Sequence, residues 1–270
     1  MENDKNIGIL GCGWLGFPLA KCLLNKGWQV KGSTTMPAKI PLLQIAGIEA
    51  FLIQADTEIG FQSSFFNVDI LFLNIPPSRK TGQNGYLDKM QKLLTTIQKS
   101  AIKKVVFISS TSVYGEVCRE VTEAEPTVPS ELAQAEMLFL SAKNLATTVI
   151  RFGGLFGPDR NPGRFFRDKN SIPNGLSPVN LIHLQDCLGL IEAVLNQPKN
   201  GIYNAVAPTH PTKKDFYSKA ILKMGLAAPE FLEEKTDWKI INPQKIMTDF
   251  DYNFKYPDLL ACLDHSAVFD

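Results

Sequence analysis

Residues 6–27 read NIGILGCGWLGFPLAKCLLNKG. A short apolar run, Ile7 to Leu10, precedes Gly11, Gly13 and Gly16. Leu15, Leu19, Cys22 and Leu23 then recur at helical spacing, which places them on one face. Gly27 suits the position just past such a helix, where positive φ is common. A strand, a glycine turn and a helix in this order make G-x-G-x-x-G informative. Gly11 permits the tight turn, Gly13 lets a pyrophosphate approach the backbone, and Gly16 lets the helix pack close to the strand. The N–H groups and dipole at the helix start favour the anion. Gly11, Cys12, Gly13, Trp14, Leu15 and Gly16 are therefore candidate cofactor-binding residues. The competing reading is a glycine-rich turn with no ligand.

The chain has 270 residues, room for one large α/β domain or a nucleotide domain with a small cap. A net charge of +1 gives no reason to expect nucleic acid or an acidic partner. Met1 to Lys5 is polar and Ile7 to Leu10 is too short to span a bilayer, so neither a leader nor a membrane segment is expected. Cys12, Cys22, Cys118, Cys187 and Cys262 are scattered, with no C-x-x-C and no His/Cys cluster. That pattern leads us to expect reduced thiols, a cytoplasmic protein and no metal. Each cysteine reads equally as a small buried hydrophobe.

Outward from the glycine turn, a second strand is expected over Gln29 to Ser33. In NAD-selective domains an acid near its end holds the ribose hydroxyls. Here Val30 to Thr35 contains no acid. Ser33, Thr34 and Thr35, with charge from Lys39, suit a 2′-phosphate, so NADP is favoured and NAD is the second choice. Alternatively, Ser33 and Thr34 merely cap the next turn. A third strand, Ile48 to Ile53, leads to Asp56, which reads either as an acceptor for the adenine amino group or as a cap. A fourth, Asp69 to Leu73, delivers Asn74, Ile75 and Pro76 towards the ribose and nicotinamide side. Gly85 to Ser100 reads as a helix with Leu87, Met90, Leu94 and Ile97 inward. Lys104 to Ile108 is a buried fifth strand that delivers Ser109 to Gly115.

Five motifs now stand in order: Gly11-x-Gly13-x-x-Gly16, Ser109-Ser110-Thr111-Ser112-Val113-Tyr114-Gly115, Arg151-Phe152-Gly153-Gly154-Leu155-Phe156-Gly157-Pro158, His183-Leu184-Gln185-Asp186 and Gly201-Ile202-Tyr203-Asn204. Together they resemble the extended short-chain dehydrogenase/reductases, the NAD(P)-dependent epimerase/dehydratases that act mostly on nucleotide sugars. The resemblance covers nearly the whole chain, and Lys239 to Pro257 resembles the tail of a small atypical branch. It implies an α/β fold: a doubly wound, mostly parallel Rossmann sheet of seven strands with a small C-terminal α+β cap. It also implies a catalytic role for Ser110, whose hydroxyl would bond the substrate oxygen that is oxidised or reduced. Ser112 and Tyr114 would flank it. Tyr114 reads alternatively as an aromatic packed at the strand end.

The departure from that family is the acid/base pair. Its general acid/base is a Tyr in Y-x-x-x-K, where the Lys brings a phenol pKa of ~10 towards neutrality. No Tyr stands between Tyr114 and Tyr203, and no Lys between Lys104 and Lys143. The segment Glu120 to Glu136 looks shortened where the dyad should sit, although a helix with Leu132, Met137, Leu138 and Leu140 survives. Either another group has taken the proton (Tyr114, Tyr86, Glu116 or Glu123), or the chemistry has changed to hydride transfer and a water. A third possibility is that the protein binds the dinucleotide without turnover. Glu116 and Glu123 also read as solvated loop carboxylates.

Thr147 to Arg151 is a sixth strand, and the loop from Gly153 is expected to face substrate. Arg160, Arg164 and Arg167 near Phe165 and Phe166 form a candidate clamp for a nucleotide-sugar-like molecule, or else a solvated basic segment anchored by two Phe. His183 reads as a satisfied core residue. Asp186 is expected to cap the helix ending at Asn196, and Thr212 with Asp215 to open another. The expected domains are 1–155 for the dinucleotide and 156–270 for a cap of discontinuous segments, with 179–205 returning to the core. The expected function is that of an NADP-dependent oxidoreductase, epimerase or dehydratase, monomeric or homodimeric. The alternative is a non-catalytic NADP-binding sensor or scaffold.

Overall fold

The computed structural model describes residues 5–54, 64–77, 85–166, 169–265 and 269. Asp56 and Arg167 lie outside the described residues. Strands β1 (Asn6–Leu10), β2 (Gln29–Thr34), β3 (Glu49–Leu52), β4 (Ile70–Leu73) and β5 (Lys104–Ser110) alternate with helices α1 (Gly16–Leu24), α2 (Ile40–Ile45) and α3 (Tyr86–Gln98). Then follow β6 (Glu120–Val121), α4 (Glu131–Leu140), β7 (Ala146–Phe152), β8 (Gly154–Phe156), β9 (Ser171–Ile172), β10 (Leu181–His183), α5 (Leu184–Asn196) and β11 (Gly201–Ala205). The described chain closes with α6 (Lys213–Leu222), β12 (Glu230–Phe231), β13 (Ile240–Ile241), α7 (Gln244–Phe250) and α8 (Leu259–Cys262).

Seven strands form one sheet in the order β11-β7-β5-β4-β1-β2-β3. The pairs β1–β2, β1–β4, β2–β3 and β4–β5 are parallel. The expected doubly wound α/β sheet is therefore present. From β1 the chain winds outward through β2 to β3, then returns to lay β4 on the other side of β1. That reversal is the topological switch point of an open α/β sheet, where ligands bind at the carboxyl ends of the strands. Ile7, Ile9, Leu71 and Phe72 are fully buried, as central strands covered on both faces require.

By its contacts the chain divides into two compact units, each assembled from discontinuous segments. The first comprises 1–109, 129–150 and 194–202. Here α3 buries Tyr86, Met90, Leu93, Leu94 and Ile97, a stripe at helical spacing that packs on Leu71, Val105 and Phe107 in one core. Helix α4 adds Phe139, whose ring centroid lies 5.4 Å from that of Phe107. It buries Ala133, Ala135, Glu136 and Phe139; Leu132, Leu138 and Leu140 pack partly buried on the same core, and Met137 is 61% exposed.

The second unit comprises 110–128, 151–193 and 203–270. Three short parallel pairs organise it: β8 with β10, β9 with β12, and β6 with β13. Its core gathers Phe156, Val179, Phe216, Tyr217, Leu259 and Leu263. Thr212 opens α6 as expected, its Oγ1 accepting from Asp215 N at 3.0 Å. His183 is a core residue as expected, edge-on to Phe156 and Tyr256 with ring centroids 5.2 and 4.6 Å away. Asp186 corrects the sequence reading. It lies inside the first turn of α5 and accepts from Tyr252 Oη at 3.0 Å, Lys255 N at 2.6 Å and Tyr256 N at 3.0 Å. It anchors a loop nearly seventy residues downstream rather than capping its own helix.

Candidate functional site

The glycine turn sits at the carboxyl end of β1. Gly11 holds φ +111°, and a Cβ there would fall 2.5 Å from the Asn74 carbonyl oxygen. A Cβ on Gly16 would run into the Gly11 carbonyl oxygen, so only glycine allows this approach of α1 to the turn. At Gly13 a Cβ would meet nothing within 4 Å. No side chain caps α1 and no acid stands in its first turn. Open space above Gly13 and an uncapped helix start are what a diphosphate requires. The residues present fit a dinucleotide.

Both neighbouring strands brace the turn. From β2, Ser33 Oγ accepts the Gly11 N–H at 3.0 Å and Ser33 O accepts the Cys12 N–H at 2.8 Å. After β4, Asn74 Nδ2 donates to Gly11 O at 3.1 Å. Ser33 is thus buried behind the turn, and Thr34 Oγ1 accepts from Met36 N at 3.1 Å. Both contacts match the capping alternative, and each hydroxyl hydrogen is left to donate. Thr35 is exposed, and the Lys39 charge is felt at the Cys12 thiol. Burial pushes that thiol up to about 12, so Cys12 stays a neutral packing group under the turn.

The loop Asn74, Ile75, Pro76 is held by Tyr86, whose buried hydroxyl donates to Ile75 O at 3.0 Å. Burial, and then the charges of Glu136 and Glu131, raise the Tyr86 phenol above its ordinary value. Ser109, near the end of β5, donates to the buried Glu136 carboxylate of α4. Nothing in the sequence reading singled out Glu136. A polar residue on the inner face of an apolar helix is the signal that could have found it.

In the second unit, Ser110 Oγ accepts the Ser112 N–H at 3.1 Å and caps the turn Thr111–Val113. Its own hydroxyl hydrogen is left to donate. Ser112 is exposed. Tyr114 is 2% exposed; its hydroxyl donates to Asn204 Oδ1 at 2.9 Å and accepts from Arg151 Nη1 at 2.7 Å. The Arg151 guanidinium also lies 4.7 Å from the Tyr114 ring centroid. Burial raises the phenol pKa and Arg151 only partly opposes it, so this hydroxyl keeps its proton. This packed placement at the strand end matches the alternative reading of Tyr114. Glu123 accepts the Asn204 N–H at 2.8 Å, which makes it a structural acceptor and not a solvated carboxylate.

Glu116 is different. Its half-exposed carboxylate takes a hydrogen bond of 2.6 Å from Lys239 Nζ, which also donates to Tyr114 O at 3.0 Å. Lys239 is buried and stands 123 residues away in sequence, so no local pattern announced it. Gly153 is a packing glycine: its Cβ would lie 2.5 Å from Asn180 O. Arg160 and Arg164 are exposed, and Phe166 sits edge-on to Tyr217 at 4.7 Å, the two-Phe anchor of the alternative reading. Among the described residues no group of three His, Cys, Asp or Glu could hold a metal ion. Among the same residues, no helix is long and apolar enough to cross a membrane.

Known proteins were compared with this chain. No family model matches it. Protein YeeZ of Escherichia coli (strain K12) is 35% identical over 270 residues, covering 95% of this chain and 98% of that protein. A conserved protein of Silicibacter pomeroyi, described as functionally unknown, superposes with a TM-score of 0.80 at 21% identity, covering 96% of this chain and 97% of that one. UDP-glucuronic acid 4-epimerase from Bacillus cereus, solved in complex with NAD, gives a TM-score of 0.76 at 20% identity, covering 96% of each chain. The chain belongs to the family of protein YeeZ, and it shares the fold of these two solved structures.

Proposed function

We propose that this protein binds a nicotinamide dinucleotide, NADP in preference to NAD, and catalyses oxidoreduction, epimerisation or dehydration of a nucleotide-sugar-like substrate. One observation carries the reading: at the switch point of the sheet, a braced turn offers open space above Gly13 next to an uncapped helix start. Gly11, Gly13, Trp14, Leu15 and Gly16 would hold the diphosphate, and Asn74, Ile75 and Pro76 would border the nicotinamide side. The dinucleotide, when bound, supplies hydride transfer. The Ser110 hydroxyl donates to the substrate oxygen where negative charge builds, a stabilisation set in place before reaction. Ser112, Arg160 and Arg164 are exposed polar groups suited to the rest of the substrate.

The NADP preference rests on the acid-free end of β2, on the hydroxyls of Ser33, Thr34 and Thr35, and on Lys39. A cytoplasmic location is part of the same reading. The second reading, a dinucleotide-binding sensor without catalysis, is favoured by one fact: the Tyr114 phenol is locked and no Y-x-x-x-K replaces it. Incubation with NADPH and a panel of nucleotide-4-keto sugars separates the two. Loss of nicotinamide absorbance is the expected result; binding without turnover across the panel favours the sensor. Calorimetric titration with both dinucleotides tests the preference, and tighter NAD than NADP contradicts it.

A further inference from the structure

We infer that Tyr86 is a positioning residue for the nicotinamide half of the dinucleotide, its hydroxyl fixing the loop Asn74, Ile75, Pro76 from the core side. The inference rests on the dinucleotide reading above, and every residue it uses lies in the first unit.

The loop follows Leu73, the last residue of β4, and residues 74–77 belong to no strand or helix. Two hydrogen-bonded anchors hold it. On one side Asn74 joins it to the glycine turn: Asn74 N donates to Leu10 O at 3.0 Å and Asn74 Nδ2 to Gly11 O at 3.1 Å. On the other side the Tyr86 hydroxyl donates to Ile75 O at 3.0 Å, and the Ile75 side chain packs partly buried on the same core as Tyr86. Pro76 and Pro77 follow, both exposed. Each has its φ fixed by the ring and confines the residue before it to extended backbone. With the Ile75 carbonyl held, Pro76 therefore keeps little freedom. The loop is fixed at buried contacts and presents a stiff, exposed edge beyond them.

The anchor is itself rigid. Tyr86 is the first residue of α3 and is 5% exposed. Met90, Leu93, Leu94 and Ile97 bury the inner stripe of the same helix in the same core, which fixes the Tyr86 ring with it. Burial, and then the charges of Glu136 and Glu131, raise the phenol above its ordinary value, so the hydroxyl keeps its proton and stays a donor. A tyrosine that served the core alone would need only some acceptor for its hydroxyl. Here the acceptor is the carbonyl between Asn74, which grips the glycine turn, and Pro76. A ligand that meets this loop finds it already ordered and is spared the entropy of ordering it. Without the hydroxyl, part of that cost moves to the binding step. The effect belongs to the nicotinamide half of the ligand, because the adenine half does not meet this loop in the reading above.

The test uses the full chain as wild type, Tyr86→Phe and Pro76→Gly. Each is titrated by calorimetry with NADP and with 2′,5′-ADP, which lacks the nicotinamide half; NAD and AMP take their place should NAD bind more tightly. The expected result for Tyr86→Phe is a loss of NADP affinity of about three- to tenfold, with 2′,5′-ADP affinity unchanged. Pro76→Gly, at an exposed position, should weaken NADP about two- to fivefold, again sparing 2′,5′-ADP, and keeps the test open should Tyr86→Phe fail to fold. A purely structural role for Tyr86 would not divide the two ligands. Unchanged NADP affinity in Tyr86→Phe, or an equal loss for both ligands, overturns the assignment while leaving the dinucleotide reading intact. Wild-type protein that binds NADP no more tightly than 2′,5′-ADP also overturns it, because the loop then has no nicotinamide half to position. Wild-type protein that binds neither dinucleotide overturns the reading beneath it.

Discussion

Gly11 and Gly13 share a motif but differ physically, and substitution separates them. At Gly11 a side chain meets both a positive φ and the Asn74 carbonyl, so Gly11→Ala should destabilise the fold by about 1–3 kcal/mol. At Gly13 a methyl group enters empty space. Gly13→Ala should therefore leave stability within about 0.5 kcal/mol of wild type yet weaken NADP binding by about tenfold, or 1.4 kcal/mol. Chemical denaturation and calorimetry read the two effects. Equal damage to stability at both positions would contradict the open space at Gly13, and unchanged NADP affinity in Gly13→Ala would contradict a diphosphate there. Ser110 and Tyr114 form a second contrasting pair. Tyr114→Phe strands the Arg151 and Asn204 partners in a buried site and should cost about 1–3 kcal/mol of stability, with kcat less affected than stability. Ser110→Ala should lower kcat by about 10²-fold at a stability cost of ~1 kcal/mol for the lost cap. A Tyr114→Phe variant that folds normally but loses turnover would reverse these roles.

At the scale of elements, helix α4 and the Asp186 anchor are the informative cases. Phe139 is fully buried against Phe107, so Phe139→Ala should cost about 3–5 kcal/mol, whereas Met137→Lys on the exposed face should be nearly neutral in denaturant titrations. Asp186 adds a pH signature. Burial raises its carboxyl pKa despite three donors, so the folded chain holds that proton more tightly than the unfolded chain. The associated stability is present below the ordinary value of 3.8 and is lost as pH rises through the raised folded value. The stability advantage of wild type over Asp186→Asn should therefore shrink as pH rises across that window. A constant or growing advantage would contradict the sign. Local signals carried the regular elements well: the expected helix at Gly85 to Ser100 is α3, and the fingerprint from Ile7 to Gly16 lies where its spacing put it. The Asp186 anchor was not legible, because its donors lie near residue 255 and periodicity holds no information about them. The burial of Glu136 in α4 was not legible for a related reason: it depends on a hydroxyl from β5 and not on its own hydropathy.

For the whole molecule, the sheet order and the turn at its switch point are what support the proposed dinucleotide reading. The strand, turn and helix at the switch point are set by short-range glycine and strand patterns, legible in residues 6–27. Other pairings join groups over long sequence distances, Glu116 to Lys239 and Tyr114 to Asn204 among them, and became visible only in three dimensions. Everything then depends on whether the turn holds its ligand. Thermal unfolding of the wild-type protein with NADP and with NAD, each up to millimolar concentration, is the direct measurement. At a hundredfold excess over Kd, bound dinucleotide should add about 2.7 kcal/mol, raising Tm by several degrees, with NADP the more effective. A Tm unmoved by either dinucleotide at millimolar concentration would contradict the assignment of the glycine turn as a nucleotide diphosphate site.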